Sequence, residues 1–361
     1  MNRFIVLLLL FFFAPSAMAQ NADWRKTWDD LLAAAQKEGK VVVAGPPSKE
    51  VRQSLPPAFE KRYGIKLEYI AGRSSETATK LRAERQANAN SIDALIGGIQ
   101  TMATILYREK MIDPVRPVLV LPEVTDGSKW KKGSLWFSDP DDKYILRLAN
   151  TVSTTFYYNT KIVQPGEIKS VKDLLEPKWI GKICLQDPTV PGSGSNQAAQ
   201  LYINFGEDFV KKLYIGQKPA ITRDTRQLSD WVSRGDYPIA LGAEDKLAED
   251  YGKEGLPIAP LELPDLPQLI SAGFGQVALL NQAPHPNAAK VFVNWLASNE
   301  GSELFARAMS VAPTRNDIDE SFLPRREIPQ PGGKYFDTYD WEFTVTTKEK
   351  VRQRMKELIG H

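Results

Sequence analysis

The sequence predicts an α/β fold with mainly parallel sheet, and three observations carry that prediction. Short β-branched runs alternate with helical segments along most of the chain, in the order strand, short loop, helix. The runs at 41–44 (VVVA) and 183–185 (ICL) are apolar without polar alternation, as strands covered on both faces are. Once an N-terminal leader is set aside, about 340 residues remain, enough for two domains.

The leader is residues 1–19. Arg3 supplies a positive charge, 4–13 is an unbroken apolar run, and Ala17-Met18-Ala19 is a small-x-small cleavage site. Together these make a secretory signal peptide. An uncleaved anchor is the competing reading, but the run falls short of the ~20 residues a membrane helix needs. No cysteine follows the cleavage site, so no lipoprotein anchor is expected. The mature chain is expected to begin near Gln20 and to be exported and soluble. Loss of Arg3 takes the formal net charge from +2 to +1. That balance gives no case for nucleic acid or an acidic membrane surface. The single cysteine, Cys184, forbids an intrachain disulfide and lies in an apolar run, so it reads as a core residue. The only histidines are His285 and His361, which argues against a His-based triad, a histidine-rich metal site or a His general base.

The elements follow in order. Trp24, Trp28, Leu31, Leu32 and Ala35 share one face of a helix over 24–38, which Gly39 stops. A strand over 40–45 leads to the loop Gly45-Pro46-Pro47-Ser48. Ser48 is an N-cap for a helix to Tyr63, with Val51, Leu55 and Phe59 inward and a kink or break expected at Pro56-Pro57. A strand over 65–70, a helix over 77–89, a strand over 91–98 ending at Gly97-Gly98, and a helix over 99–107 repeat the unit. Residues 114–142, rich in Pro, Lys, Asp and Trp, read as a long surface excursion. The stretch 145–158 (ILRLANTVSTTFYY) reads as one long β segment. A second set then follows: strand 182–185, helices near 196–205 and 207–215, strand 220–222, helix 227–234, strand 238–241, helix 245–254, strand 271–280, and helices 287–296 and 298–309. The tail beyond 318 is rich in Pro and charge and carries one late helix over 348–359.

The stretch 187–195 (DPTVPGSGS) joins a strand to a helix through small residues. The first N–H groups of a helix have no partner within it and carry partial positive charge, so such a turn suits an anion or polar ligand. An ordinary capped helix after a flexible turn explains it locally as well. No Gly-x-Gly-x-x-Gly fingerprint and no Gly-Lys-Ser/Thr phosphate loop is present.

Six segments in order carry a resemblance: VVVAGPPSKE, GRSSETATKLRAERQANANSIDALIGG, TFYYNTKIV, PKWIGKICLQDPTVPGSGS, SRGDYPIALG and NAAKVFVNWLASNEGSELFA. From Val41 to about Pro313 the chain resembles the periplasmic solute-binding proteins of ABC importers, in their ferric-iron-binding-like group. The resemblance implies a type II-like architecture, two α/β lobes joined by crossing strands, with the ligand in the cleft between them and closure by a hinge. It divides the chain into 20–145 plus 271–318 as a first lobe, 146–270 as a second lobe, and 319–361 as a tail whose helix packs on a lobe. It implies a small-molecule ligand, a membrane permease as partner, a monomer, no cofactor and no catalysis.

The family's iron ligands do not carry over. Their positions read about Ser48, Gly98 and Gly242-Ala243-Glu244-Asp245, without the adjacent tyrosines, and neither serine nor glycine offers Fe(III) an anionic oxygen. The expected contacts to an organic ligand are Pro47, Ser48, Arg73, Ser74, Gly98, Thr155, Gly192, Ser193, Gly194, Ser195 and Glu244, with no metal. Arg73 suits a carboxylate or phosphate, or is a solvated charge beside Glu76. Glu244, if it faces the cleft, favours a ligand with a cationic part. Trp136 and Phe137 stack on a ligand or pack in the fold. The expected function is capture of a small anionic or zwitterionic organic solute. The alternatives are ferric iron or an iron complex, an exported enzyme acting on a small anion, and presentation of the ligand to a sensor.

Overall fold

The computed structural model describes residues 17–243, 245–271 and 273–360. Residues 1–16, nearly all of the expected signal peptide, lie outside the described residues, as do Glu244, Ala272 and His361.

Helix α1 (Ala17–Glu38) opens the described chain, earlier than the periodicity from Trp24 predicts, and Gly39 ends it at φ +73°. Strand β1 (Lys40–Gly45) leads into α2 (Lys49–Tyr63), where the Ser48 hydroxyl accepts the Val51 N–H at 3.2 Å. The expected break at Pro56-Pro57 does not occur. The carbonyls deprived of a partner belong to Arg52 and Gln53, both exposed, so water can satisfy them. Strand β2 (Lys66–Ala71), α3 (Ser74–Gln86), β3 (Ala94–Gly97) and α4 (Ile99–Thr101), which runs on as a π-helical turn to Tyr107, complete the first set. Strand β4 (Ile112–Asp113) and the short α5 (Pro122–Thr125) follow. The segment 114–142 is not the surface excursion its composition suggests. Val115, Leu119, Val124, Trp130, Leu135 and Phe137 are all buried in the first core, and Trp130 Nε1 donates to Val124 O at 2.8 Å.

The long β segment at 145–158 breaks into β5 (Leu146–Arg147), β6 (Val152–Ser153) and β7 (Phe156–Asn159), each in a different sheet. Beyond it come β8 (Ile183–Gln186), α6 (Ser193–Lys211), β9 (Ala220–Thr222), α7 (Thr225–Arg234), β10 (Ile239–Leu241), α8 (Asp245–Lys253) and β11 (Ile258–Pro260). Gly206, at φ 81° and ψ 174°, divides α6 where the sequence places a gap between two helices. The return crossing is β12 (Gln268–Ile270) and β13 (Gln276–Leu280), two strands rather than the single one expected. Helices α9 (Pro286–Ala297) and α10 (Asn299–Met309), strand β14 (Tyr335–Asp337) and α11 (Lys348–Ile359) end the chain.

Two main sheets result. One has the order β2-β1-β3-β13-β4, with β5 also on β13, and the other β11-β7-β10-β8-β9. Strands β1, β2 and β3 pair in parallel, as do β8, β9 and β10, whereas β13 and β7 run antiparallel to their neighbours. Those two strands enter their sheets just after the chain crosses from the other one. Alternate residues of each central strand feed cores on opposite faces: Val41 and Val43 against Val42 and Ala44, Ile183 and Leu185 against Cys184. This two-sided burial explains the unbroken apolar runs. Between the main sheets lies a three-stranded sheet, β14-β12-β6, made of both crossing segments and the tail. The molecule is thus two α/β lobes joined by crossing strands.

Candidate functional site

A cleft of about 590 Å³ opens between the two main sheets, at the loops that follow their strands. The first lobe contributes Pro46, Pro47, Ser48 and Glu50 from the turn between β1 and α2. The crossing segments contribute Thr151, Ser153, Thr155, Ser271, Gly273 and Phe274. The second lobe contributes Ser193 at the start of α6 and Asp245, Lys246, Glu249 and Lys253 along α8. The end of α10, with Ser310, closes one side, and the tail inserts Phe322, Leu323, Pro324 and Glu327.

Of the expected contacts, Pro47, Ser48, Thr155 and Ser193 line this cleft. Arg73, Ser74, Gly98, Gly192, Gly194 and Ser195 do not line it. Arg73 is exposed, and its backbone N–H is taken by Glu76 at 3.2 Å, with no ion pair to its guanidinium among the described residues. The Ser74 hydroxyl accepts the Gly98 N–H at 3.2 Å, which ties the α3 start to the end of β3. Gly98 lies against Gly273, whose carbonyl would be 3.1 Å from an added Cβ. The Ser195 hydroxyl accepts the Gly192 N–H at 3.2 Å and lies 3.0 Å from its carbonyl, so it is a helix cap. Gly194 is a packing requirement: a Cβ there would lie 2.6 Å from Gln186 O and 2.9 Å from Asp187 O. Its N–H is taken by Gln186 Oε1 at 2.5 Å, which the Ser193 hydroxyl also meets. The N–H of Ser193 has no hydrogen-bond partner among the described residues. Glu244 lies outside the described residues. Trp136 and Phe137 are engaged within the fold, stacked on Arg147 at 4.3 Å and Arg116 at 4.5 Å.

The chemistry of the cleft centres on residues the sequence does not single out. Asp245 accepts from the Ser153 hydroxyl at 2.5 Å, the Thr155 N–H at 3.3 Å and the Tyr157 hydroxyl at 2.5 Å. Thr155 is held in the left-handed region at φ 53°, a strained conformation for a β-branched residue. Its carbonyl accepts the Gly242 N–H at 2.7 Å and its hydroxyl accepts from Gln197 at 2.9 Å, so three contacts hold that strain in place. Burial, and then the charge of Asp245, push the Tyr157 hydroxyl far above its usual range. Burial, again followed by Asp245, pushes the Glu327 carboxyl up to about 7. Glu50 is held below the ordinary carboxylate range by a backbone N–H and the Ser48 hydroxyl, with Lys246 of the opposite lobe acting in the same direction. Among the described residues, no group of three or more His, Cys, Asp or Glu side chains is placed to hold a metal ion. The neighbour of the expected Glu244 was within reach of the sequence argument. The tail was not: Leu323-Pro324-Arg325-Arg326-Glu327 has no periodicity and acquires its role only by lying across the second lobe.

Two lobes with crossing strands and a cleft between them define a solute-binding protein. The chain belongs to the bacterial extracellular solute-binding protein family, whose sequence model matches residues 44–303. Members bind small solutes and deliver them to ABC permeases, and the family is one of binding rather than catalysis. An uncharacterized protein of Haemophilus influenzae is 27% identical over 293 residues, 76% of this chain and 77% of that protein. Among solved structures, the periplasmic binding protein AfuA of Actinobacillus pleuropneumoniae, with fructose-6-phosphate bound, superposes with a TM-score of 0.68 at 18% identity, over 89% of this chain and 99% of that one. Iron-bound HitA of Pseudomonas aeruginosa gives 0.61 at 17% identity, over 88% and 99%. The ferric binding protein of Campylobacter jejuni gives 0.66 at 15%, over 88% and 99%. At these identities the structures speak for the fold.

Proposed function

We propose that this chain captures a small anionic or zwitterionic organic solute in the periplasm and closes on it about the β6–β12–β14 sheet. In this reading residues 1–19 are removed on export, the protein is a monomer, and it hands its solute to a membrane permease. The first lobe is 20–145 with 271–318, the second is 146–270, and 319–361 is a tail that reaches both. The observation that carries the reading is a cleft of about 590 Å³ whose walls come from strand-end loops of both lobes. That is the usual place for ligands in open α/β sheets and a volume suited to a small organic molecule. The N–H of Ser193, without a hydrogen-bond partner among the described residues and at the positive end of α6, together with Lys246 and Lys253, supports an anionic group on the solute. Pro47, Ser48 and Thr155 are the contacts proposed from the facing wall and the hinge, with Arg73 at the exposed mouth. A sugar phosphate such as the one bound by AfuA has the required anion. Iron, as in HitA, lacks anionic ligands here at Ser48 and Gly98.

Calorimetric titration of the purified mature protein with a panel of small carboxylates, phosphates and amino acids tests the reading, with ferric citrate as a further arm. Saturable one-to-one binding of an organic solute without turnover is the expected result. A visible ferric charge-transfer band with one equivalent of iron, or formation of product, overturns it.

A further inference from the structure

The tail residue Glu327 has no partner that accounts for its position. It is 8% exposed and lines the cleft, yet its carboxylate accepts no hydrogen bond from any described residue. Its nearest cation is Arg326 at 3.6 Å, and that guanidinium is committed to Glu249. Asp245 faces the same space and acts on Glu327 electrostatically. Three donors, from Ser153, Thr155 and Tyr157, converge on Asp245, but none of them brings a positive charge. The remaining cations of the cleft, Lys246 and Lys253, act on Glu327 only from a distance and lie nearer to other carboxylates. Lys246 meets Asp250 at 3.6 Å, and Lys253 lies 3.9 Å from Asp250 and 4.0 Å from Glu249; the two lysine side chains are 61% and 73% exposed. Glu50, from α2, adds another carboxylate on the facing wall. A buried carboxylate beside a second one, its one close guanidinium already shared with Glu249, is costly unless a proton or a cation joins them.

We propose that Asp245 and Glu327 form a cation subsite within the cleft, so that the captured solute carries a protonated amine or a comparable small organic cation. This rests on the cleft being the solute site, and it assigns the solute's positive end. The subsite suits an ammonium group rather than a metal: a hard metal ion needs more oxygen ligands than two carboxylates, whereas an ammonium offers three N–H donors. In the empty protein Glu327 holds a proton near neutral pH. Entry of the cationic group replaces that proton, so binding strengthens as pH rises through about 7. The same raised value fixes the sign for stability. The folded state keeps the proton at a pH where the unfolded chain has released it. The contribution of Glu327 is therefore full below about 4.5 and is lost as pH climbs through about 7.

The test needs no knowledge of the solute. Thermal unfolding of the mature protein and of Glu327→Gln is compared at pH 5 and pH 8, in methylammonium chloride and in sodium chloride of equal ionic strength. At pH 5 the two proteins should melt alike. At pH 8, in sodium chloride, Glu327→Gln should melt higher by about 2 °C or more. Methylammonium should raise the wild type selectively at pH 8 and leave the variant unmoved. Equal responses of wild type and variant to methylammonium overturn the subsite, as does a wild type indifferent to it. Asp245→Asn serves as the second variant and should abolish the same response. Paired probes separate the subsite from the cleft itself: γ-aminobutyrate against butyrate, and 2-aminoethyl phosphate against ethyl phosphate. Preference for the amine member, weakened tenfold or more in Glu327→Gln, is expected. A solute bound equally by both proteins but lost in Phe274→Ala overturns the subsite and leaves the cleft reading intact.

Discussion

Two strand-to-helix turns face each other across the cleft, and they solve the same problem in different ways. In the first lobe the chain leaves β1 through Gly45 and two prolines, and Ser48 caps α2 from within its own loop. The turn is closed on itself, and Pro46 and Pro47 offer the cleft an apolar face. In the second lobe α6 starts hard against the end of β8, and its cap comes from the strand, through Gln186. Here a backbone N–H, that of Ser193, is left without a partner among the described residues. Charge divides the same way. Asp245, Lys246, Glu249 and Lys253 lie on the second wall, and Glu50 stands alone on the first. The second lobe therefore reads the solute, and the first covers it.

The sharpest way to break this contrast is steric. Alanine at Gly194 drives a methyl group into two backbone carbonyls, of Gln186 at the end of β8 and of Asp187 just beyond it, which cannot move aside. The expected loss is about 3 kcal/mol or more of unfolding free energy, as for other severe overpacking at a fixed backbone. Alanine at Gly45 meets the far end of the Tyr69 side chain, whose hydroxyl donates to Pro46 O at 2.8 Å and can swing away at the expense of that bond. A loss of about 1 kcal/mol is expected there. Urea unfolding of the two variants checks the order, and equal losses would mean that the α6 start is not pinned to β8.

The caps give a smaller effect in the same direction. Gln186→Ala strands the buried Gly194 N–H and leaves the Ser193 hydroxyl only its bond to Gly242 O, at a cost of about 1–3 kcal/mol. Ser48→Ala removes one exposed-side cap, at about 1 kcal/mol. The two also differ in function. Loss of Gln186 should loosen the α6 start and weaken solute binding, read by calorimetry, whereas loss of Ser48 removes one contact of the covering wall and should weaken binding less.

Much of this frame is legible in the sequence, and the rest has a physical reason for being hidden. Strands β1 and β8 declare themselves because burial on both faces leaves no polar residue at 41–44 or 183–185. Ser48, Gly39 and Gly64 mark helix ends by local chemistry alone. The turn at 187–195 is visible too, but its spare donors look more numerous than they are, because Gln186 and Ser195 satisfy several of them. What stays hidden depends on distant partners. The β-prone stretch at 145–158 gives no hint that it supplies three sheets; its second break, between β6 and β7, falls at a left-handed Thr155 held by Asp245 and Gly242. Trp130 looks like a surface aromatic until Arg315, far along the chain, lies 5.4 Å from its ring. Glu327 looks like one charge in a charged tail, and only the fold brings it beside Asp245.

Strained backbone offers the finest test of reader and cover. Two residues lining the cleft, other than glycine, have positive φ: Thr155 at 53° in the crossing segment, and Ser310 at 52° after α10. Ser310 is a helix C-cap in the left-handed conformation, the position where glycine is ordinarily found, and among the described residues its side chain makes no hydrogen bond to the charged wall. Ser310→Gly should relieve strain and raise stability by about 0.5–1 kcal/mol, with affinity unchanged. Thr155→Gly relieves a similar strain but discards the hydroxyl that accepts from Gln197 and frees the backbone whose N–H helps to fix Asp245. Its stability should change by less than about 1 kcal/mol, because the two terms oppose each other, while affinity for the solute falls by about tenfold. Calorimetry and urea unfolding on the two glycine variants separate the outcomes. If Thr155→Gly binds as the wild type does, the strain at the hinge is incidental packing and Asp245 is positioned by Ser153 and Tyr157 alone.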